Sequence, residues 1–359
     1  MRSKPTASLP TLTALLLGIC VLPSAAAQST PKQSLLALSK QDHTMAIVDP
    51  ATLQVINKLP VGPDPHEVVA SSDGTKAYVS IYGGGRYHAV SVLDLVAQKA
   101  LPEIDTGGLN GPHGEFFVGG KLWFTAEGAK AIGRYDPATN KIDWIMGTGQ
   151  NRTHMLYVTN DEKRVYTTNV SSATVSILEL VQLPPMGPPP GMQSSSGTQA
   201  APPQPPPPRM DWNQTVIAVG KGDEGFDVSP DGRELWTANA QDGSLSIIDL
   251  AGKKVTATLD AKILGSNRLK FTPDGKLVFI TSLRDGDLFI YDAASRKESK
   301  RVHIGHGAAG IQMEPSGARA FVACTPDNYV TVVDLQTLKV TGKIDVGAEP
   351  DGLAWAVRP

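Results

Sequence analysis

The sequence predicts an all-β fold: a seven-bladed β-propeller of four-stranded antiparallel blades, closed by pairing of N- and C-terminal strands in one blade. Three observations carry this. A tight turn recurs at Asp73-Gly74, Gly119-Gly120, Asp161-Glu162, Asp231-Gly232, Asp274-Gly275 and Ser316-Gly317, at intervals of 46, 42, 70, 43 and 42 residues. Most intervals hold four short strand signals, and a period near 42 with four strands per unit is that of propeller blades. Helical periodicity is missing, while glycine, proline and β-branched residues dominate.

The chain starts with a segment that does not belong to the repeat. Arg2 and Lys4 precede an apolar run from Leu9 to Leu22, and Ala25-Ala26-Ala27 supplies small residues for cleavage. Residues 1–27 are therefore expected to be a Sec-type signal peptide, and residues 28–359 a single exported domain, periplasmic or secreted. Cys20 follows Ile19, where a lipoprotein signal needs a small residue. The apolar run is too short for a stable membrane span, and no other segment is a candidate. Cleavage leaves Cys324 as the only cysteine, which precludes an intramolecular disulfide. Without Arg2 and Lys4 the charge balance is 31 basic to 35 acidic residues, so no general attraction to nucleic acid or anionic membranes is expected.

One unit, Val219 to Leu259, shows the blade in full. Asp223-Glu224-Gly225-Phe226-Asp227-Val228 reads as the inner strand, A, and Ser229-Pro230-Asp231-Gly232 as its turn. Glu234 to Asn239 is strand B, Ser244 to Leu250 strand C, and Lys254 to Leu259 the polar outer strand D. Each such meander has one side too apolar for water, and stacking meanders around an axis buries it. Strand C recurs as Met45–Asp49, Val90–Asp94, Thr174–Leu178 and Val330–Asp334. The turn after it recurs as Asp49-Pro50-Ala51-Thr52 and Asp136-Pro137-Ala138-Thr139.

With these strand B segments (Val165-Tyr166-Thr167-Thr168-Asn169, Leu235-Trp236-Thr237-Ala238-Asn239) and their Pro-Asp-Gly and Asp-Pro-Ala-Thr turns, the chain resembles the YVTN-repeat β-propeller family over nearly all of residues 34–359. The literal string Tyr157-Val158-Thr159-Asn160 is a decoy, since it falls on strand A. The termini set the blade count. One period after Gly317 is residue 359, and one period before Gly74 is residue 32. The segment Gly352–Val357 thus supplies the inner strand of a blade whose other strands are Leu35–Ser39, Met45–Asp49 and Gln54–Val61.

The long interval contains a proline-rich insert at 183–211. Residues 184–208 hold 11 prolines and no charge, so they cannot join a packed core. The insert is expected between strand C (Thr174–Leu180) and strand D (Thr215–Val219) of the third blade. It is either a tolerated excursion or a tether to cell-envelope material or a proline-recognising partner.

Chemistry is expected where the inner strands enter the central channel. Three consecutive blades place histidine there: Pro65-His66, Pro112-His113 and Thr153-His154. The corresponding region elsewhere carries Asp223 and Glu224, then Asn267 and Arg268, then His306, then Glu349 and Asp351, with His43 and His88 in loops on the same face. The candidate channel mouth is thus His66, His113, His154, Glu224, Asn267, Arg268, His306 and Asp351. Imidazoles in this number suit a transition metal with an open position, but duplication of a strand-start histidine at a polar, solvated mouth also explains them.

Blade two carries a narrower resemblance. Gly111-Pro112-His113-Gly114, Leu122-Trp123-Phe124-Thr125, Glu127 and Ile132-Gly133-Arg134-Tyr135-Asp136-Pro137 look like one blade of the streptogramin lyase family. That resemblance implies Mg²⁺-assisted opening of a cyclic ester, with His113 as the catalytic proton-transfer residue and Glu127 as a metal ligand. The family's acidic residue two positions before the histidine is here Gly111. The expected function is an exported, monomeric binding or scaffold propeller, taking a small molecule or envelope protein at this face. The alternatives are a metal-dependent hydrolase or lyase, with Zn, Cu or Mg on His66, His113, His154 and Glu127, and an accessory subunit of a periplasmic redox enzyme.

Overall fold

The computed structural model describes Met1, residues 28–184 and residues 208–359. The leader and most of the insert lie outside the described residues. Twenty-eight strands among the described residues form seven four-stranded antiparallel sheets. Numbered from the histidine blades, the inner strands are Pro65–Ala70, Pro112–Val118, Thr153–Val158, Asp223–Val228, Ser266–Phe271, Ala308–Met313 and Pro350–Val357. Each packs against the next, and the seventh packs against the first, which makes a ring around a central channel. In blade seven, Pro350–Val357 pairs antiparallel with Gln33–Ser39, with Leu35 opposite Trp355.

Local chemistry explains the repeat. In the turn after the first inner strand, Asp73 Oδ1 accepts the Thr75 amide at 3.0 Å while Gly74 takes φ +64°. Asp231 and Asp274 accept the Arg233 and Lys276 amides in the same way, each at 3.1 Å. Between neighbouring sheets lie apolar clusters, such as Leu36, Met45, Ile47, Val68, Val79 and Leu93 between blades seven and one. These clusters hold the ring together, since burying each such side chain contributes about 1.5–3 kcal/mol.

The mouth is shaped by an irregularity common to the inner strands. In each of the first six, pairing with the next strand skips between the first and fourth residues, as between Pro65 and Val68 or Pro112 and Glu115. Such bulges re-aim side chains next to sites. They also bring neighbouring inner strands into backbone contact. A Cβ on Gly114, the third residue of its strand, would sit 2.5 Å from the His154 carbonyl oxygen.

The insert is flanked differently from the sequence expectation. Strand C runs from Thr174 to Leu183 and strand D from Arg209 to Ala218, paired along their whole length up to Leu183 opposite Arg209. The boundaries 183–211 therefore overlap ordered strand at both ends. The reason is aromatic packing. Trp212 lies 5.2 Å from Trp144, which lies 5.0 Å from the buried Trp123, centroid to centroid. This anchors strand residues that the neighbouring polar, proline-rich composition obscures.

Candidate functional site at the channel mouth

The second residues of the seven inner strands are His66, His113, His154, Glu224, Asn267, Ala309 and Asp351. All seven converge around the axis and, with Lys40, Arg152 and Arg268, line a cavity of about 210 Å³.

His113 is 2% exposed, and its Nδ1 has no hydrogen-bond partner. Its ring lies 5.0 Å from that of His66, 4.0 Å from His154 and 5.1 Å from Tyr82. Burial, reinforced by the neighbouring His154 and His66, holds its pKa well below the usual histidine value, so the imidazole is neutral.

His154 is equally buried and behaves oppositely. Its Nδ1 donates to Glu127, and its Nε2 lies 2.8 Å from Glu224 Oε2, an ion-pair distance without hydrogen-bond geometry. Burial alone would lower its pKa, but the Glu224 and Glu127 carboxylates outweigh that and raise it. The same pairing works on the acids. Burial opposes ionisation of Glu224, yet His154 and Arg152 bring it down to about 2. Glu127 is likewise lowered despite burial. Tyr82 donates to Glu127 Oε2 at 2.5 Å. Arg152 spans both acids, 3.1 Å from Glu224 Oε1 and 3.5 Å from Glu127 Oε2.

His66 belongs to a separate group. Its Nε2 is 3.0 Å from both Lys40 Nζ and Asp64 Oδ1, and its Nδ1 is 3.8 Å from Asp351 Oδ2. The bond from His66 holds Asp64 down at about 2, whereas burial raises Asp351 despite His66 and Lys40. Burial also pushes Asp223 up to about 8, although its Oδ2 accepts the Asn169 amide at 3.1 Å.

Arg268 forms an ion pair with Glu67, from non-neighbouring blades five and one, and so spans the channel. Below it the inner strands enclose a second cavity of about 330 Å³. Glu115, in blade two, occupies the fourth strand position, where the other blades have Val68, Leu156, Phe226, Leu269, Ile311 and Leu353. Both its carboxyl oxygens are buried without a partner, and burial, with Glu67 nearby, raises its pKa well above the usual carboxylate range.

The ring brings together His66, His113, His154, Glu224, Asn267, Arg268 and Asp351, with Glu127 beside them. It does not include His306. That side chain is 74% exposed and bound to Asp327 at 3.1 Å, and its blade presents Ala309 at the mouth. The sequence reading placed His306 by proximity to the strand start, three residues short of the ring position. The donor atoms that converge are also not the three histidines: His113, Glu127 and His154 offer ligand atoms within 4.8 Å of one another.

Sequence reasoning missed Tyr82, Arg152, Lys40, Asp64 and Glu67. Register could have found two of them. Two residues before each ring position stand Asp64, Gly111, Arg152, Gly222, Gly265, Gly307 and Glu349, and all seven have positive φ. A non-glycine residue in that conformation is uncommon and marks Asp64 and Arg152 as worth explaining. At Gly111 a Cβ would lie 2.6 Å from Gly85 Cα, so the acidic residue of the streptogramin lyase pattern has no room here.

The class that these data define is a seven-bladed β-propeller with a histidine- and acid-lined channel mouth. No family description and no curated protein matches the chain. Solved structures share its fold. A functionally unknown protein from Desulfotomaculum acetoxidans aligns at 12% identity and TM-score 0.70, over 91% of this chain and 99% of that one. A proposed 6-phosphogluconolactonase from Bacteroides uniformis aligns at 15% identity and TM-score 0.69, over 90% and 99%. Kuenenia stuttgartiensis hydrazine synthase aligns at 17% identity and TM-score 0.61, over 81% and 89%. At these identities the likeness is one of fold.

Proposed function

We propose that the chain is an exported binding propeller of the YVTN-repeat type that takes a small polar ligand at the channel mouth. The observation that supports this reading is His113: a neutral, buried imidazole whose Nδ1 lacks a partner, among side chains whose charges are otherwise paired. A buried polar atom left unpaired costs about 1–3 kcal/mol, which a bound ligand would recover. The surrounding Lys40, Arg152, Arg268, Glu224 and Asp351 offer both donors and acceptors, which suits a ligand carrying both. The test is a thermal-shift screen of small carboxylates, sugars and lactones, followed by calorimetry. Hits should bind the wild type and lose affinity in His113→Ala. Hits that bind His113→Ala unchanged would place the ligand elsewhere.

A second reading, ring-opening of a lactone, is favoured by the same neutral imidazole, whose Nδ1 is free to accept a proton. Tyr82, whose pKa burial and Glu127 raise, stays protonated beside it. Water attacking the ester carbonyl would pass its proton to the free His113 nitrogen, and the departing ring oxygen would take a proton in turn. A lactone-opening assay with and without divalent metal, with His113→Ala as control, separates the two readings.

A further inference from the structure

We propose that the mouth holds a divalent transition-metal ion of the zinc class on His113, His154 and Glu127, with His66 outside the coordination set. This rests on the mouth being the functional site. The three side chains are 2%, 2% and 6% exposed, and their donor atoms already lie within 4.8 Å of one another. They come from the inner strands of two blades and from the turn after Lys121–Ala126, so the fold, not a local motif, assembles them. Four-coordinate zinc, with bonds of about 2.0–2.1 Å, sets its donors roughly 3.3 Å apart, so the three side chains would have to close on the ion.

The chemistry selects the ion. Two imidazoles and one carboxylate suit zinc or copper, whereas magnesium and calcium need oxygen-rich sites. The ion would replace the proton that His154 now donates to Glu127, and the Glu127 and Glu224 carboxylates would balance its charge. Tyr82 on Glu127 and Arg152 bridging Glu127 and Glu224 hold the carboxylates in place, as outer partners of metal ligands do. His113 brings the nitrogen with no other partner. His66 is excluded by its own surroundings: Lys40 Nζ sits 3.0 Å from its Nε2, and that ammonium repels a cation. Three protein ligands leave a position for water or a ligand from the cavity.

The test uses purified protein stripped with chelator, loaded with Zn²⁺ alone, dialysed and assayed by elemental analysis, with Co²⁺ as a spectroscopic substitute. One equivalent of zinc is expected in the wild type and in His66→Ala, with tetrahedral Co²⁺ absorption in both. Zinc should be lost in His113→Ala and Glu127→Gln. Because Glu127→Gln also strips His154 of a counter-ion, His113→Ala, checked for native circular dichroism, is the decisive variant. Absence of stoichiometric zinc from the wild type, its retention in His113→Ala, or its loss in His66→Ala would each overturn the proposal. A small ligand that still binds metal-free wild type, and not metal-free His113→Ala, would leave the binding reading intact while the metal proposal fails.

Discussion

The inner strands of blades two and three are built to one plan and end in opposite electrostatic states. Gly111-Pro112-His113-Gly114-Glu115 and Arg152-Thr153-His154-Met155-Leu156 align residue for residue, with histidine rings 4.0 Å apart. Burial holds His113 well below the usual histidine value, with Nδ1 unpartnered, whereas two carboxylates hold His154 above it. The difference lies in what surrounds each position. Arg152 stands where blade two has Gly111 and gathers Glu127 and Glu224 around His154. Two positions along from His113, Glu115 is left buried without a partner where Leu156 packs in apolar core. A repeat copies positions; ionisation is set by neighbours from other blades.

The sharpest way to break this contrast is Glu127→Gln, which removes one counter-ion from His154. Breaking a buried pair costs about 3–5 kcal/mol, so urea unfolding at pH 6 should show a loss of that order. A loss below about 1 kcal/mol would mean that His154 is not charged.

Glu115→Leu tests the other side and should go the opposite way. Replacing an unsatisfied buried acid by the residue type of the other six blades is expected to gain about 1–3 kcal/mol. A lower urea midpoint would show that Glu115 has a partner after all. Gly114→Ala should destabilise by about 1–3 kcal/mol, because its Cβ meets the His154 carbonyl and must push the two strands apart.

The pH dependence separates the two histidines by sign. His154 has a folded pKa above its unfolded value near 6.5, so its contribution is complete below about pH 6.5 and fades as pH rises through the folded value. His113 has a folded pKa below that value, so it costs stability as pH falls from about 6.5 towards the folded value. Glu224 adds stability above about pH 4.5 that is lost as pH falls towards about 2. Ring-proton NMR titrations should show His154 protonated at pH 7 and His113 unprotonated at pH 6. Both rings titrating together near 6.5 would erase the contrast. The smallest effect is expected from His306→Ala. It should leave the unfolding midpoint and both ring titrations unchanged, since that side chain is exposed and outside the mouth.

Most of the fold was legible because its signals are local. A turn needs Asp and Gly at fixed offsets, and strands alternate with period two, so the blade period, the seven inner strands and the place of the long insertion can be read from spacing. The ends of the insert could not, because the packing of Trp212 on Trp144 joins residues from different blades. The ring histidines were also readable, as each sits at the same step of its strand. His306 was misplaced because proximity in sequence stood in for register.

What the sequence determined by itself is therefore the architecture and the convergence of His66, His113 and His154 on one face, since both follow from a repeated local pattern. What only the tertiary structure decided is which of them is already engaged, and that Glu127 joins His113 and His154 while His66 turns to Lys40 and Asp64. Those outcomes depend on burial and on charges contributed by segments far apart in the chain. Electrostatic energies depend on separation and dielectric in space, which no spacing along the chain encodes.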